Sequence, residues 1–434
     1  MAWSTGIWAW LAGRRRSPRA VPLSTEVELR LIRLEERRVL QGMPVAAPPA
    51  AAGSSGHATA TYLIARHGNE VDVSLNGVLV KEQSIDQGRL TIAALTTGAQ
   101  FIVDMSGGNP IPKGGLTLIG AAAANGVQNS LVIQPGNAAA PFATVTYSLL
   151  TSDQGSIVLT TSSASGPNQA STINFSNLTA IKDDTAAAGR VLELDGEPEQ
   201  LTLTAAPNIA SQPALMLSSS LGPSVTFVDP ATSLMIEAAG QPGDSLQLAS
   251  FDLVASLTVE MAGAVSLSGP VQTGGLSISA DTIQLNSSLM AGPSAQFVAQ
   301  SEINVAQSAS VAALSSIDLE APNIQQVGNL RLLGPGLVRL NAGAGGTVIV
   351  SGRIDAAELG PSGSGGNVQV LGNLIALTGS AVIDVSGSSP GSVVIGGNGG
   401  FAEVSSIGSI DFVGKTDLSA SQGQGGNLLL DPLS

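Results

Sequence analysis

The chain of 434 residues contains no cysteine and few aromatic side chains, and both absences narrow what it can be. Without cysteine there is no disulfide framework, no thiol nucleophile and no cysteine-ligated metal. Aromatic residues make up 3% of the chain and charged residues 12%, about half the usual share of charge. No apolar run approaches the roughly 18 residues of a membrane-spanning helix. The predicted interior is therefore aliphatic, built from Ala, Val, Leu and Ile between turns of Gly, Ser and Thr.

Charge is divided unevenly between a basic head and an acidic body. Residues 1–40 hold eight Arg and four Glu, a net charge of +4, which leaves −18 for the rest of a chain whose total is −14. Binding to nucleic acid depends on neutralising phosphates, and an acidic body is poorly suited to it. We therefore expect no nucleic-acid partner.

The C-terminal quarter repeats one short phrase, in which a glycine turn is followed by an alternating strand. Such repetition indicates a chain that stacks on itself, and it points to a structural or adhesive protein more than to an enzyme. The clearest copies begin at Gly345, Gly365, Gly379, Gly391 and Gly425.

The strand-and-turn pattern begins near residue 58, well before the regular repeat. Val71–Val80 alternates around Asn76-Gly77, the strongest short hairpin signal. From about residue 200, the first residues of successive strands often lie near ten residues apart. This spacing predicts solenoid coils of about 20–30 residues with two or three strands each. The predicted fold class is all-β, a parallel β-helix or β-solenoid preceded by a short N-terminal helix and a disordered linker.

Four segments follow from these patterns. Residues 1–42 form a basic targeting segment whose helix covers Ser24–Leu40, with Thr25 and Glu28 at capping-box spacing. A Pro/Ala/Gly linker covers 43–57, a strand-rich solenoid-like region covers 58–329, and the regular repeat covers 330–434. The alternative for the helix is an ordinary solvated amphipathic helix that caps the open end of the solenoid.

Two segments resemble parts of large exported proteins of planctomycetes. Leu34-Glu-Glu-Arg-Arg-Val-Leu40 is similar to their N-terminal Leu-Glu-x-Arg-x-Leu-Leu segment, and Asp104–Thr117 is similar to a D-x-S-G-G-N-P-I-P-x-G-G-L segment of their surface proteins. The first resemblance implies a role in export or sorting. The second implies a cell-surface protein.

The region 330–434 resembles the filamentous-haemagglutinin family of secreted adhesins, through Gly345–Ala356, Gly379–Gly387 and Gly425–Pro432. That resemblance implies a parallel β-helix, secreted or displayed on the cell surface, which binds protein or glycan targets on other cells. No counterpart of that family's N-terminal secretion domain is recognised, so the export route stays open. The pattern stops at Ser434, where relatives continue, so we expect either part of a longer adhesin or end-to-end self-association through an uncapped last coil.

The repeat also predicts how its side chains are used. Val348, Val350, Val368, Val370, Val393 and Ile395 alternate as an inward-facing column. Glycine pairs 345–346, 365–366 and 425–426 are expected at sharp turns, often with positive φ. Asn367, Asn427 and Thr347 follow those pairs and predict a hydrogen-bonded ladder. For Asp355, Asp384 and Asp417 the alternatives are Asx turns and a line of weak cation sites, and the missing consecutive carboxylates favour the turns.

Residues suited to catalysis are sparse. The chain has two histidines, His57 and His67, and no histidine follows the G-x-S-x-G match at Gly387–Gly391, so a hydrolase triad of that order cannot be completed. The enzyme alternative is a β-helix polysaccharide lyase or hydrolase, for which Asp183-Asp184 is the only adjacent acid pair beyond residue 40. The third alternative is a calcium-stabilised repeat module using Asp229, Asp244 and Asp252. We predict a non-enzymatic surface protein and assign no catalytic, cofactor or metal residue.

Overall fold

The computed structural model describes residues 60–122, 128–136, 142–151, 153–161, 169–194, 198–238, 242–357, 364–378, 381–385 and 392–396, with strand backbone at 401–406, 411–413, 415–417 and 427–432. These residues are all-β and contain no helix. The predicted N-terminal helix, the linker at 43–57, His57 and the Gly387–Gly391 motif lie outside the described residues.

Fifteen strands cover the first part of the described chain. They are β1 (Thr61–His67), β2 (Glu70–Leu75), β3 (Val78–Ser84), β4 (Leu90–Ala93), β5 (Gln100–Asp104), β6 (Leu116–Ile119), β7 (Ser130–Gln134), β8 (Phe142–Leu149), β9 (Gln154–Thr161), β10 (Gln169–Ser176), β11 (Ala180–Asp183), β12 (Ala187–Leu194), β13 (Gln200–Ile209), β14 (Gln212–Ser219) and β15 (Ser224–Val228).

Twelve more strands follow. They are β16 (Ser233–Ala238), β17 (Ser245–Leu248), β18 (Phe251–Met261), β19 (Ala264–Leu267), β20 (Val271–Leu285), β21 (Ser288–Ala291), β22 (Ser294–Val305), β23 (Ser310–Ala313), β24 (Ser316–Glu320), β25 (Asn323–Gln326), β26 (Asn329–Leu332) and β27 (Leu337–Asn341). The predicted segment boundary at 329/330 falls inside β26.

The last ten strands lie in the regular repeat. They are β28 (Thr347–Val350), β29 (Arg353–Asp355), β30 (Asn367–Leu371), β31 (Leu374–Leu377), β32 (Val382–Asp384), β33 (Ser392–Gly396), β34 (Phe401–Ser406), β35 (Asp411–Val413), β36 (Lys415–Asp417) and β37 (Asn427–Pro432). All 37 strands are hydrogen-bonded into one sheet.

Antiparallel hairpins occur only in the N-terminal part of the described chain. The sets β1–β2–β3, β8–β9–β10 and β13–β14–β15 pair antiparallel. Their outer strands other than β3 also take part in parallel pairings. The predicted hairpin at Val71–Val80 is confirmed as β2 and β3. Its turn residues Asn76 and Gly77 have φ of 49° and 81°, the mirror-image geometry that matches strand twist.

From β16 onward the described strands pair in parallel and form three ladders. Ladder A runs through β16, β18, β20, β22, β24, β27, β30, β33 and β36. Ladder B runs through β17, β19, β20, β22, β25, β28, β31, β34 and β37. Ladder C runs through β18, β20, β21, β23, β26, β29, β32 and β35. From β24 each strand therefore pairs with the third strand after it.

Alternation along the strands places the core. The predicted inward column is confirmed, because Val348, Val350, Val368, Val370, Val393 and Ile395 are all at most 2% exposed. Val338 is stacked between Ile317 and Val368, and all three have no exposed surface. Each such side chain contributes on the order of 1.5–3 kcal/mol by leaving water.

Two expectations for the repeat are wrong. Thr347 and Asn427 lie in ladder B, whereas Asn367 lies in ladder A, so these residues do not form one hydrogen-bonded ladder. Equal distance from a glycine pair does not imply equal position, because the strand after 365–366 belongs to ladder A, whereas the strands after the other two pairs belong to ladder B. Neither Gly345 nor Gly346 has positive φ; that conformation belongs to Gly343, at 71°. The pair 425–426 lies outside the described residues.

Candidate functional site

The adjacent acids Asp183 and Asp184 separate into different environments, because they lie on opposite faces at the end of β11. Asp183 has no exposed surface and pairs with the equally buried Arg190, whose Nη1 lies 2.6 Å from Oδ2. Asp184 accepts a hydrogen bond of 2.8 Å from Lys182 near the surface. The pair that suggested acid–base catalysis is therefore divided between an internal ion pair and a surface one.

Arg190 is the centre of a fully buried polar network. Its Nε donates to the Val228 carbonyl at 2.9 Å, and its other donors reach Tyr147 Oη and the Thr185 carbonyl. The guanidinium carbon lies 5.3 Å from the centre of the Phe227 ring. Burial lowers the pKa of Arg190, but the charge of Asp183 and the hydrogen bonds to Asp183 and Tyr147 together outweigh burial, so the pKa is raised. The guanidinium is charged and each of its three nitrogens donates a hydrogen bond, which fits a structural role.

Tyr147 and Thr185 complete the partners of Asp183. Tyr147 Oη donates to Asp183 Oδ2 at 2.5 Å, and Thr185 donates to Oδ1 through its hydroxyl at 2.6 Å and its amide at 2.8 Å. Burial raises the pKa of Tyr147 well above its ordinary value. The phenol therefore stays protonated and acts as a hydrogen-bond donor rather than as a base.

The three aspartates considered for calcium do not come together. Asp244 is 5% exposed and accepts a hydrogen bond of 2.9 Å from the Glu199 amide. Asp252 is close enough for its charge to act on Asp229. Burial, and then the charge of Asp252, raise the pKa of Asp229 to about 6. Among the described residues, no group of three His, Cys, Asp or Glu side chains is arranged to hold a metal ion.

The three aspartates of the repeat lie in two different ladders. Asp355 and Asp384 are paired neighbours in ladder C, and Arg353 lies 3.5 Å from Asp355 and 3.1 Å from Asp384. Asp355 also accepts a hydrogen bond of 3.2 Å from the Ala357 amide, which is the geometry of the predicted Asx turn. Asp417 lies in ladder A, so the three do not form one line of carboxylates.

A column of glutamates was not predicted from the sequence. Glu193, Glu237 and Glu260 are paired residues on three successive parallel strands, and all face outward. The next residues in the column are Ser148 on one side and Ser279 on the other, so the column itself contains no basic residue. Its signal in the sequence was a Glu near the end of β12, β16 and β18, but only the strand register shows that these positions coincide.

A groove opens where ladder C begins. Its volume is about 570 Å³, and its lining comes from β13, β18, β20, β21 and β23. Asp252, Gln272, Met290 and Ala312 are successive paired residues and face outward along its floor. Ser288 and Ser310 are a second paired row beside them. Neither row was recognisable from sequence, since it is assembled from strands about 20 residues apart.

The remaining candidate lies at the surface. His67 ends β1, and its side chain is 90% exposed, with Nδ1 3.9 Å from Asp72 Oδ2. No nucleophilic hydroxyl side chain among the described residues forms a hydrogen bond with His67.

Comparison with known proteins adds no identity. No protein-family model matches the chain, and no curated protein or solved structure shows significant similarity to it. Within the described ranges, no helix is long and apolar enough to cross a membrane. The features of the protein that bear on its function are therefore the ladders, the groove and the motifs.

Proposed function

We propose that residues 58–434 are a β-solenoid and that the protein is an exported, non-enzymatic surface protein with a structural or adhesive role. The observation that carries this proposal is the succession of three parallel ladders from β16 onward, in which each strand of the repeat pairs with the third strand after it. A stacked chain of this kind offers long outward rows of side chains, which suit attachment to an extended surface.

The motifs support the same function. The described strands of the haemagglutinin-like phrases, which are β28, β29, β32 and β37, are in the ladders. Asp104–Thr117 extends from the end of β5 into β6, in the region similar to planctomycete surface proteins. The Leu34–Leu40 motif supplies the proposed sorting signal. Partners would be protein or glycan targets outside the cell.

The test is surface display in the native host. Cells producing the full chain with a C-terminal epitope are treated with a protease that cannot enter them. We expect the epitope to disappear from intact cells, while a cytoplasmic control protein survives. An epitope that is cleaved only after lysis would contradict export.

A second candidate is a β-helix enzyme acting on polysaccharide, and the glutamate column favours it. Parallel strands lie about 4.8 Å apart, close to the separation of about 5–5.5 Å between the two carboxyl groups of retaining glycosidases. The measurement is release of reducing ends from a polysaccharide panel by the wild-type chain and by Glu237→Gln. Turnover that Glu237→Gln abolishes would replace the adhesive proposal with an enzymatic one.

A further inference from the structure

The groove at the start of ladder C has the composition of a ligand site rather than of a packing defect. Its volume of about 570 Å³ lies within the range of about 300–1,000 Å³ typical of ligand pockets. Buried Phe251 and Leu289 form its base, and Met290, 43% exposed, presents an apolar surface in its middle. The result is an apolar base of Phe251 and Leu289 with polar groups at defined positions above it.

The polar groups in the groove are not used by the fold. Gln272, Ser288 and Ser310 form no side-chain hydrogen bond with any described residue, although all three line the groove. Asp252 is the one charged residue among the described residues of the lining. A ligand that fits would therefore carry many hydrogen-bonding groups, apolar patches and little negative charge.

The spacing of these groups distinguishes between extended polymers. The groove runs across the strands, so equivalent side chains repeat about every 4.8 Å. That interval is close to the length of one sugar residue in an extended glycan. An extended peptide rises about 3.4 Å per residue, so its side chains on one face repeat about every 6.8 Å and lose register with the ladder.

We propose that this groove binds a neutral, extended glycan and that its four stacked strands contact about three consecutive sugars. Four rows span three intervals, about 14 Å. Gln272, Ser288 and Ser310 bond the sugar hydroxyls, and Met290 packs against the C–H face of a ring. The inference rests on the proposed surface function and names the chemical class that this part of the surface recognises.

Charge selects neutral over acidic glycans. Asp252 lies at the head of the groove, and Asp229 lies near enough for the two carboxylates to repel each other, which contributes to the raised pKa of Asp229. The chain beyond residue 40 also has a net charge of −18, given a total of −14 and +4 in the head. A uronate or sulfate group would be repelled at this end.

The test is calorimetric titration of the full chain with neutral hexasaccharides: cellohexaose, xylohexaose, mannohexaose and chitohexaose. Hexagalacturonate is the acidic comparison. We expect at least one neutral hexaose to bind and hexagalacturonate to bind at least tenfold more weakly. Gln272→Ala and Ser288→Ala should each weaken binding about three- to tenfold, the range for one lost hydrogen bond.

Matched controls are available on ladder A. Gln296→Ala and Ser277→Ala remove the same side-chain types from outward positions on β22 and β20, outside the groove, and should leave affinity unchanged. Thermal melting of all four variants confirms that each is folded. Ala312→Glu, which adds bulk and charge to the floor, should abolish binding.

Three results would overturn the groove proposal: flat titrations with every neutral hexaose, preference for hexagalacturonate, or equal weakening by the ladder A controls. Display on the cell surface is measured independently. Flat titrations of a chain that is displayed remove the groove proposal alone, whereas hexaose binding by a chain that stays inside the cell removes the surface function alone.

Discussion

Arg190 shows how one side chain can be essential to folding without being a large net gain in stability. Removing two charges from water costs several kcal/mol for each, and their attraction repays this only when every donor and acceptor is satisfied. Asp183, Tyr147, Thr185 and the Val228 carbonyl supply those partners. The network is therefore sensitive to the loss of any single member.

Replacing Arg190 by Met should destabilise the protein by about 3–5 kcal/mol, because Asp183 would be left buried without its counter-charge. Denaturant unfolding of Arg190→Met gives the value. Adding Asp183→Leu to Arg190→Met should restore part of the loss, since the stranded carboxylate is then gone. A double variant as unstable as the sum of the two single variants would show that the two residues act independently.

Asp229 predicts a pH dependence of the opposite kind from that of most aspartates. Its folded-state pKa of about 6 lies above the ordinary value of 3.8, and burial is the main cause. The folded state therefore holds the proton more tightly than the unfolded chain does. That stability is fully present below about pH 4 and is lost as the pH rises through 6.

At pH 7.5, Asp229→Asn should stabilise the protein by about 1 kcal/mol, after discounting for solvent screening at this half-exposed site. The gain should be nearly absent near pH 3, where Asp229 is mostly protonated in both states. Unfolding curves at the two pH values measure the difference between variant and wild type, which cancels the other titrating groups. An equal gain at both pH values would rule out the titration of Asp229 as the cause.

At the scale of the elements, the glycine pair 345–346 separates two uses of glycine. A Cβ on Gly346 would lie 2.1 Å from the Ala342 carbonyl oxygen and 2.4 Å from that of Pro322. A Cβ on Gly345 would meet nothing within 4 Å. Gly346 is thus required because the backbone at Ala342 and Pro322, which lie between strands, approaches it closely, whereas its φ is ordinary.

Gly346→Ala should cost about 2 kcal/mol or more, because backbone atoms must move to admit the methyl group. The neighbouring variant Gly345→Ala is the matched control and should change stability by less than about 0.5 kcal/mol. Melting temperatures of the two variants against wild type give the comparison. Equal effects would mean that the close approach at Gly346 relaxes freely.

The same scale shows what local sequence can and cannot predict. Alternation identified the inward Val368 and Val370, and Asn76-Gly77 identified the first hairpin, because both signals lie within one or two strands. Pairing between strands is a property of distant residues, so Asn367 and Asn427 were grouped although they lie in different ladders. The groove residues Gln272 and Ser288 were missed for the same reason.

At the scale of the whole molecule, the ladders predict how many strands a destabilising substitution unfolds. Val370 has no exposed surface and is paired with Leu340 on one side and Ile395 on the other. In such a stack each strand contacts its immediate neighbours, so stability is a sum of local and nearest-neighbour terms. An uncompensated buried charge should therefore unfold a neighbourhood and leave distant strands folded.

Val370→Asp tests this directly by hydrogen exchange read by mass spectrometry. We expect amide protection to fall in β27, β30 and β33 and to stay at the wild-type level in β5, β7 and β11, which lie in the early part of the chain. Gln369→Asp, one residue away and facing outward, is the control and should change protection in neither region. Uniform loss of protection from β1 to β33 in Val370→Asp would instead indicate one cooperative core, and the nearest-neighbour description of the ladders would have to be abandoned.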